Sequence, residues 1–158
     1  MENLKQHTVI LLIGSNIDPH YHLPRILADI SQQFTITAQS VIYETLPVGE
    51  TGSNFLNIAI SILTTLDIHS LKNNALHNIE IRHGRKRSAD KYAPRTADID
   101  IIAFDDKVLE SNLWQIAFIA VPVSDIAPEL LNANTGELLK ERAEQLKETS
   151  WIVAHPAL

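Results

Sequence analysis

Alternating apolar and polar positions divide the chain into short strands and amphipathic helices. Apolar runs and residues alternating with period two predict four strands, and apolar residues three and four apart predict two helices. The order β-α-β-β-α-β predicts an α+β fold with a ferredoxin-like core, an antiparallel sheet and extra C-terminal helices. The strands are predicted at 7–14, 35–45, 55–63 and 97–104, and the helices at 23–34 and 67–84.

The remaining stretches predict shorter elements. "DDKVL" (105–109) suggests a hairpin, and "WQIAFIAVPV" (114–123) is ambiguous between strand and helix. A polar-faced helix is predicted at 135–147, with Thr135 as its cap. "GSN" (14–16) taken alone is best explained as a tight turn after the first strand. No repeat or linker is visible, so residues 1–158 are expected to form one domain.

Composition and charge narrow the function classes. The chain has 158 residues, no cysteine and a net charge of −6, so disulfides and thiolate metal sites are excluded. Residues 82–95 nevertheless carry six basic residues against one acid. This local excess on an acidic body indicates a small anionic ligand and argues against nucleic-acid binding, although a solvated basic loop would look the same. Without an apolar run long enough to span a bilayer or a signal-peptide pattern, we expect a cytoplasmic protein with no membrane partner.

The segment "APRTADIDIIAF" (93–104) carries the most specific chemistry. Asp98 and Asp100 are two apart on a predicted strand, so their carboxylates share a face. Carboxylates in this arrangement repel one another unless a cation such as Mg²⁺ lies between them. Arg85, Arg87 and Arg95 are suited to phosphate, and the set therefore predicts a nucleoside triphosphate site. The alternative is that the two aspartates form surface salt bridges with Arg95 and Lys91.

Other candidates are weaker in isolation. Phe55 and Asn57 share a strand face and could bind a flat heterocycle by stacking and hydrogen bonding, or could simply be core residues. None of the histidines has zinc-ligand spacing. The phosphate-loop pattern G-x-x-x-x-G-K-[ST] does not occur.

Several motifs taken together resemble a known family. "IGSN", "YETLPVG", "NFLNIAI", "IEIRHGRKR" through "APRTADIDII", and "DIAPEL" occur here in that order, over about residues 8–131. This set is similar to the 6-hydroxymethyl-7,8-dihydropterin pyrophosphokinases of folate synthesis. The resemblance implies transfer of pyrophosphate from ATP to the pterin hydroxymethyl group, with release of AMP. It also implies small-molecule partners only, and we expect a monomer.

The resemblance also implies roles for individual residues. Asp98 and Asp100 would hold two Mg²⁺ ions, and Arg85, Arg95 and Asp98 would form the catalytic set. The pterin would bind to a second group of residues, comprising Thr45, Leu46, Val48, Phe55, Asn57 and Phe118. The nucleotide would bind to a third group, comprising Glu80, Arg85, Arg87, Tyr92, Arg95 and Ile101.

Two departures from the family pattern leave a second hypothesis open. Leu46 stands where the family has proline, and the segment 107–118 is shorter by about eight residues and has no histidine. The chain could therefore be a weakened or repurposed paralogue that binds a pterin or a nucleotide without turnover.

Overall fold

The computed structural model describes residues 4–47, 52–85 and 95–158. Strands and helices alternate along the first two thirds of the chain, and two further helices and a last strand follow. The strands are β1 (His7–Ser15), β2 (Thr35–Gln39), β3 (Ile42–Thr45), β4 (Phe55–Thr64), β5 (Asp98–Phe104), β6 (Lys107–Val108) and β7 (Ile152–His155). The helices are α1 (Pro19–Gln33), α2 (Ile68–Ser70), a π-helical turn (Leu71–Leu76), α3 (His77–Arg82), α4 (Ala117–Ile126) and α5 (Leu139–Thr149).

The sheet is antiparallel and has β1 near its centre. Its strand order is β6-β5-β1-β4-β3-β7, and β2 pairs with β4 beside this path. The order β5-β1-β4-β3 is the one expected of a ferredoxin-like plan, so the predicted α+β class is confirmed. The middle of β1, residues 9–13, is apolar at every position, as expected of a strand that is covered on both faces.

Helices cover both faces of the sheet and form two apolar layers. Helices α1 and α3 and the π-helical turn contribute Ile26, Leu71 and Ile79 to the first layer. Helices α4 and α5 contribute Val121 and Leu146 to the second. In the described part of the chain, no helix is both apolar enough and long enough to cross a membrane.

The predicted strand 35–45 is wrong as a single element, because it breaks into β2 and β3. At the break, the Ser40 hydroxyl accepts the Ala59 N–H at 2.9 Å. The backbone N–H of Ser40 donates to Ala59 O at 2.8 Å, so Ser40 alone bonds to both the N–H and the C=O of Ala59 in β4. The pattern of β-branched residues continues through this break, which is why periodicity missed it.

Two predicted boundaries near the N-terminus also need correction. Helix α1 begins at Pro19, after Asp18 in a left-handed conformation, so Pro24 lies inside the helix rather than in its first turn. The "GSN" segment is not a tight turn, because Gly14 and Ser15 belong to β1. Its glycine has a different role, described below.

The structure of the C-terminal third can be compared with the predictions for residues 105–147. The ambiguous stretch 114–123 becomes helical from Ala117, and the hairpin at 105–109 forms between β5 and β6. Helix α5 begins at Leu139, four residues later than predicted. The hydroxyl of Thr135 accepts the Glu137 N–H at 3.2 Å in a turn instead of capping the helix. Strand β7, which the sequence did not predict, pairs with β3.

Candidate active site

Two aspartates project from β5 into one pocket. Asp98 pairs across the sheet with Gly14 of β1, and Asp100 pairs with Leu12. All four residues line the same concave pocket. Ile99, between the two aspartates, is buried in the opposite layer with α1 and α3. The alternation of the strand therefore separates an acidic face from an apolar one.

Two arginines approach the Asp98 carboxylate. Nη1 of Arg85 lies 3.1 Å from Oδ1 of Asp98, and Nη1 of Arg95 lies 2.9 Å from Oδ2. Arg85 also pairs with the carboxylate of Glu80 on α3. Glu80 is buried, which raises its pKa above the ordinary value. The Ile99 N–H, donated to Glu80 at 3.0 Å, and the charge of Arg85 act in the opposite direction.

The structure contains part of the salt-bridge alternative. The Arg95–Asp98 pair forms as that alternative anticipated, whereas Lys91 lies outside the described residues. The pair is not on an open surface, since the side chains of Arg95 and Asp98 are 30% and 17% exposed. Both residues line the pocket, so the ion pair fixes a guanidinium, a group suited to anionic oxygens, at the pocket wall.

Asp100 has a different electrostatic environment from Asp98. Within the described ranges, no Lys or Arg forms an ion pair with Asp100. The side chain keeps contact with solvent, yet the surrounding protein desolvates its carboxylate. Desolvation first, and then the charges of Asp98 and Glu80, raise the pKa of Asp100 to about 7. A carboxylate in this condition favours a bound cation, which would reverse the shift.

The other end of the pocket is apolar and aromatic. Phe55 from β4 and Phe118 from α4 line it, together with Thr45 and Leu46. The same cleft holds Arg95, Asp98 and Asp100 at its other end. A cavity with apolar walls at one end and charged groups at the other suits a ligand with a flat ring and an anionic partner.

Asn57 supplies the buried polar group at the aromatic end. Its Nδ2 donates to the Thr45 hydroxyl at 2.8 Å, and both residues are 4% exposed. This bond fixes the amide, and leaves Oδ1 facing Gly14 across the β1–β4 pair. A Cβ on Gly14 would lie 2.8 Å from that oxygen, closer than real Cβ atoms approach. Glycine is therefore required at this position for close approach.

Some predicted site residues lie elsewhere. Ile101 packs in the apolar layer with α1 and α3, on the face of β5 opposite the pocket. Glu80 connects α3 with β5 below the aspartates and does not line the pocket. Val48, Arg87 and Tyr92 lie outside the described residues.

Three residues at or near the site were not predicted from the sequence. Leu12 and Gly14 line the pocket from β1, and Asn16 bonds to the backbone of Arg95 just behind it. The "IGSN" motif carried a signal for two of them. A glycine followed by a buried amide at a strand end can mark close approach as well as a turn, and only the pairing partners distinguish these cases.

Comparisons with known proteins agree with this geometry. Residues 10–128 match the family model described as 7,8-dihydro-6-hydroxymethylpterin-pyrophosphokinase. The chain belongs to this family. All of the residues that line the pocket lie within the matched range.

Individual relatives support the assignment. The 2-amino-4-hydroxy-6-hydroxymethyldihydropteridine pyrophosphokinase of Bacillus subtilis is 32% identical over 155 residues, covering 90% of this chain and 92% of that protein. The enzyme of the same name from Aquifex aeolicus is 28% identical and covers 85% and 89%, respectively. A Plasmodium falciparum HPPK-DHPS crystal structure with pterin and p-hydroxybenzoate has a TM-score of 0.71 at 14% identity, which supports the fold. This chain spans 45% of that longer protein.

Proposed function

We propose that this chain transfers pyrophosphate from ATP to the hydroxymethyl group of 6-hydroxymethyl-7,8-dihydropterin, forming the pterin diphosphate and AMP. The carrying observation is that one pocket holds both halves of the required chemistry. Phe55, Phe118 and Asn57 line one end, and Asp98 and Arg95 line the other. A pterin offers flat faces and a hydrogen-bonding edge to the first group, and a triphosphate offers anionic oxygens to the second.

The donor set of the acidic end fits Mg²⁺. In the described part of the chain, no group of three or more His, Cys, Asp or Glu side chains could hold a metal, and the carboxylates that line the pocket are Asp98 and Asp100. Mg²⁺ commonly takes one or two carboxylates and completes its shell with water and phosphate oxygens. Bound there, two Mg²⁺ ions would neutralise phosphate charge and polarise the β-phosphoryl group.

The remaining residues would orient the two substrates. The pterin hydroxyl oxygen forms a bond to the β-phosphorus of ATP while the bond from that phosphorus to the α–β bridging oxygen breaks. AMP leaves with the electron pair, and the hydroxyl proton is released. Arg85 and Arg95, held by Glu80 and Asp98, would bind the phosphate oxygens on which negative charge accumulates. Stacking by Phe55 and Phe118 would hold the hydroxymethyl group in line.

Pterin binding without turnover is the second candidate, and one observation favours it. The connection from β5 to α4 contains only the two-residue strand β6 and short turns. Ile101, expected at the nucleotide, faces the opposite layer. An adenine site would therefore depend on fewer described groups than the pterin and phosphate sites.

The test is AMP formation by the purified chain with ATP, Mg²⁺ and the reduced pterin. We expect AMP only when all three are present. Asp98→Asn should abolish turnover, whereas Asp106→Asn, in the exposed β5–β6 turn, should retain it. Absence of AMP, together with pterin binding in a calorimetric titration, would replace the transferase with the binding module.

A further inference from the structure

Asn16 connects the two ends of the pocket from a buried position behind it. The residue is 4% exposed and follows the last residue of β1. Its backbone N–H donates to Arg95 O at 2.9 Å, and its Oδ1 accepts the Arg95 N–H at 2.7 Å. Its Nδ2 donates to Ser53 O at 3.2 Å. One asparagine therefore bonds to two chain segments that are far apart in sequence.

The first segment carries the phosphate end of the site. Arg95 is bonded to Asn16 through both backbone groups, as if the β1–β5 ladder continued by way of a side chain. The guanidinium of Arg95 then reaches Asp98 at 2.9 Å. Because its backbone is fixed at two points, the direction of this guanidinium depends on where Asn16 lies.

The second segment leads into the aromatic end. Ser53 precedes Phe55 by two residues, and Phe55 begins β4. The segment that leads into β4 is therefore hydrogen-bonded, through the Ser53 carbonyl, to the same side-chain amide that bonds to Arg95. An amide is the side chain that can do both, since it carries an acceptor and a donor on one planar group.

We propose that Asn16 is a positioning residue that sets the spacing between the Arg95 guanidinium and the Phe55 stacking surface. The predicted changes in kcat and KM rest on the proposed function. Asn16 does not line the pocket and acts through its bonds to Arg95 and Ser53. Its loss would leave the partly buried Arg95 N–H without this acceptor, and an unmade hydrogen bond at such a group favours local rearrangement. Small misplacements of reacting groups reduce the rate strongly.

The experiment compares Asn16→Ala, Asn16→Asp and a matched control in the same protein. Asn16→Ala should lower kcat by about 10–100-fold through Arg95 and also raise the KM for the pterin. Asn16→Asp keeps an acceptor for the Arg95 N–H but places an oxygen against Ser53 O. It should therefore raise the pterin KM with a smaller loss of kcat, and it also covers the case in which the alanine variant does not fold.

The control is Asn54→Ala, which removes a 2.9 Å hydrogen bond to Glu44 in the same region without touching Arg95. It should match the wild type in kcat and KM. Folded Asn16 variants with wild-type kcat and KM, or Asn16 and Asn54 variants with equal losses, would overturn the positioning role.

A wild-type protein that forms no AMP would refute the proposed function. The positioning role of Asn16 would then be tested by ligand binding. The probes are the pterin and a non-hydrolysable ATP analogue with Mg²⁺, both titrated by calorimetry. Asn16→Ala should weaken binding of the analogue by about tenfold or more, and Asn54→Ala should not. Equal affinity of the wild type and both variants would overturn the inference as well.

Discussion

Replacing Gly14 with alanine should damage the pterin end of the site while sparing the phosphate end. The new Cβ would lie 2.8 Å from Oδ1 of Asn57 and 3.5 Å from a ring carbon of Phe55. The second distance is ordinary contact, but the first requires the amide to move. The neighbour is held by its 2.8 Å bond to the Thr45 hydroxyl, so the movement breaks a buried hydrogen bond.

The expected loss of pterin affinity can be estimated from the hydrogen bond between Asn57 and Thr45. A buried polar group left without its partner costs about 1–3 kcal/mol. If displacement of Asn57 removes a comparable interaction with the pterin edge, the pterin dissociation constant rises by about 5- to 150-fold. The ion pairs of Asp98 with Arg85 and Arg95 lie on the other side of β1, so affinity for a Mg²⁺-bound ATP analogue should change little.

Calorimetric titration with the pterin measures the effect, and a double-mutant cycle with Asn57→Ala assigns it. In the Asn57→Ala background the clash no longer exists, so Gly14→Ala should then cost almost nothing. Wild-type pterin affinity of the Gly14→Ala variant would refute the steric argument. Additive losses in the double variant would refute the assignment to Asn57.

Three further predictions concern charge and stacking. Asp100→Asn should abolish AMP formation yet raise the free energy of unfolding of the metal-free protein at pH 8 by about 1 kcal/mol, a value reduced because solvent reaches the side chain. The folded-state pKa of Asp100 is raised from 3.8 to about 7, so the wild type loses stability as pH rises between these values. The gain should therefore vanish at pH 3.5, and an equal gain there would contradict it. Burial and His83 lower the pKa of His22 below 6.5, so the wild type should lose stability as pH falls through and below 6.5. Thermal unfolding of His22→Gln should lack this loss, and parallel curves would exclude His22 as its source. Phe118→Ala should weaken pterin binding by about 1–3 kcal/mol and leave ATP-analogue binding unchanged in the same titrations; equal losses for both ligands would indicate a general collapse of the pocket.

The local sequence pattern was sufficient to predict which side chains share a face when they belong to the same strand. The common face of Asp98 and Asp100 follows from the period of a strand, and the same argument divided β4 into an apolar row and a row containing Phe55 and Asn57. The structure places all four residues along one pocket. Their assignment to a pterin and to phosphates came from the resemblance, because spacing alone does not identify a ligand.

Features that depend on non-local pairing were not predictable in the same way. Gly14 has its role because β1 lies against Asn57, and Asn16 has its role because it meets Arg95 and Ser53. Strand β7 has a short, half-exposed sequence that becomes a strand only by pairing with the edge of β3. Propensity carries no information about such partners.

The pairing around Gly14 also explains why the two halves of the site lie at one end of the sheet. Gly14 pairs with Asn57 on one side and with Asp98 on the other. Adjacent strands are about 4.8 Å apart, so the backbones of these two residues are separated by about 10 Å across the glycine. Because Gly14 has no side chain, β1 leaves this interval between the two proposed halves of the site open at this position. A larger residue there would push on Asn57, so the proposed pterin end depends on this glycine as well as on the side chains that line it.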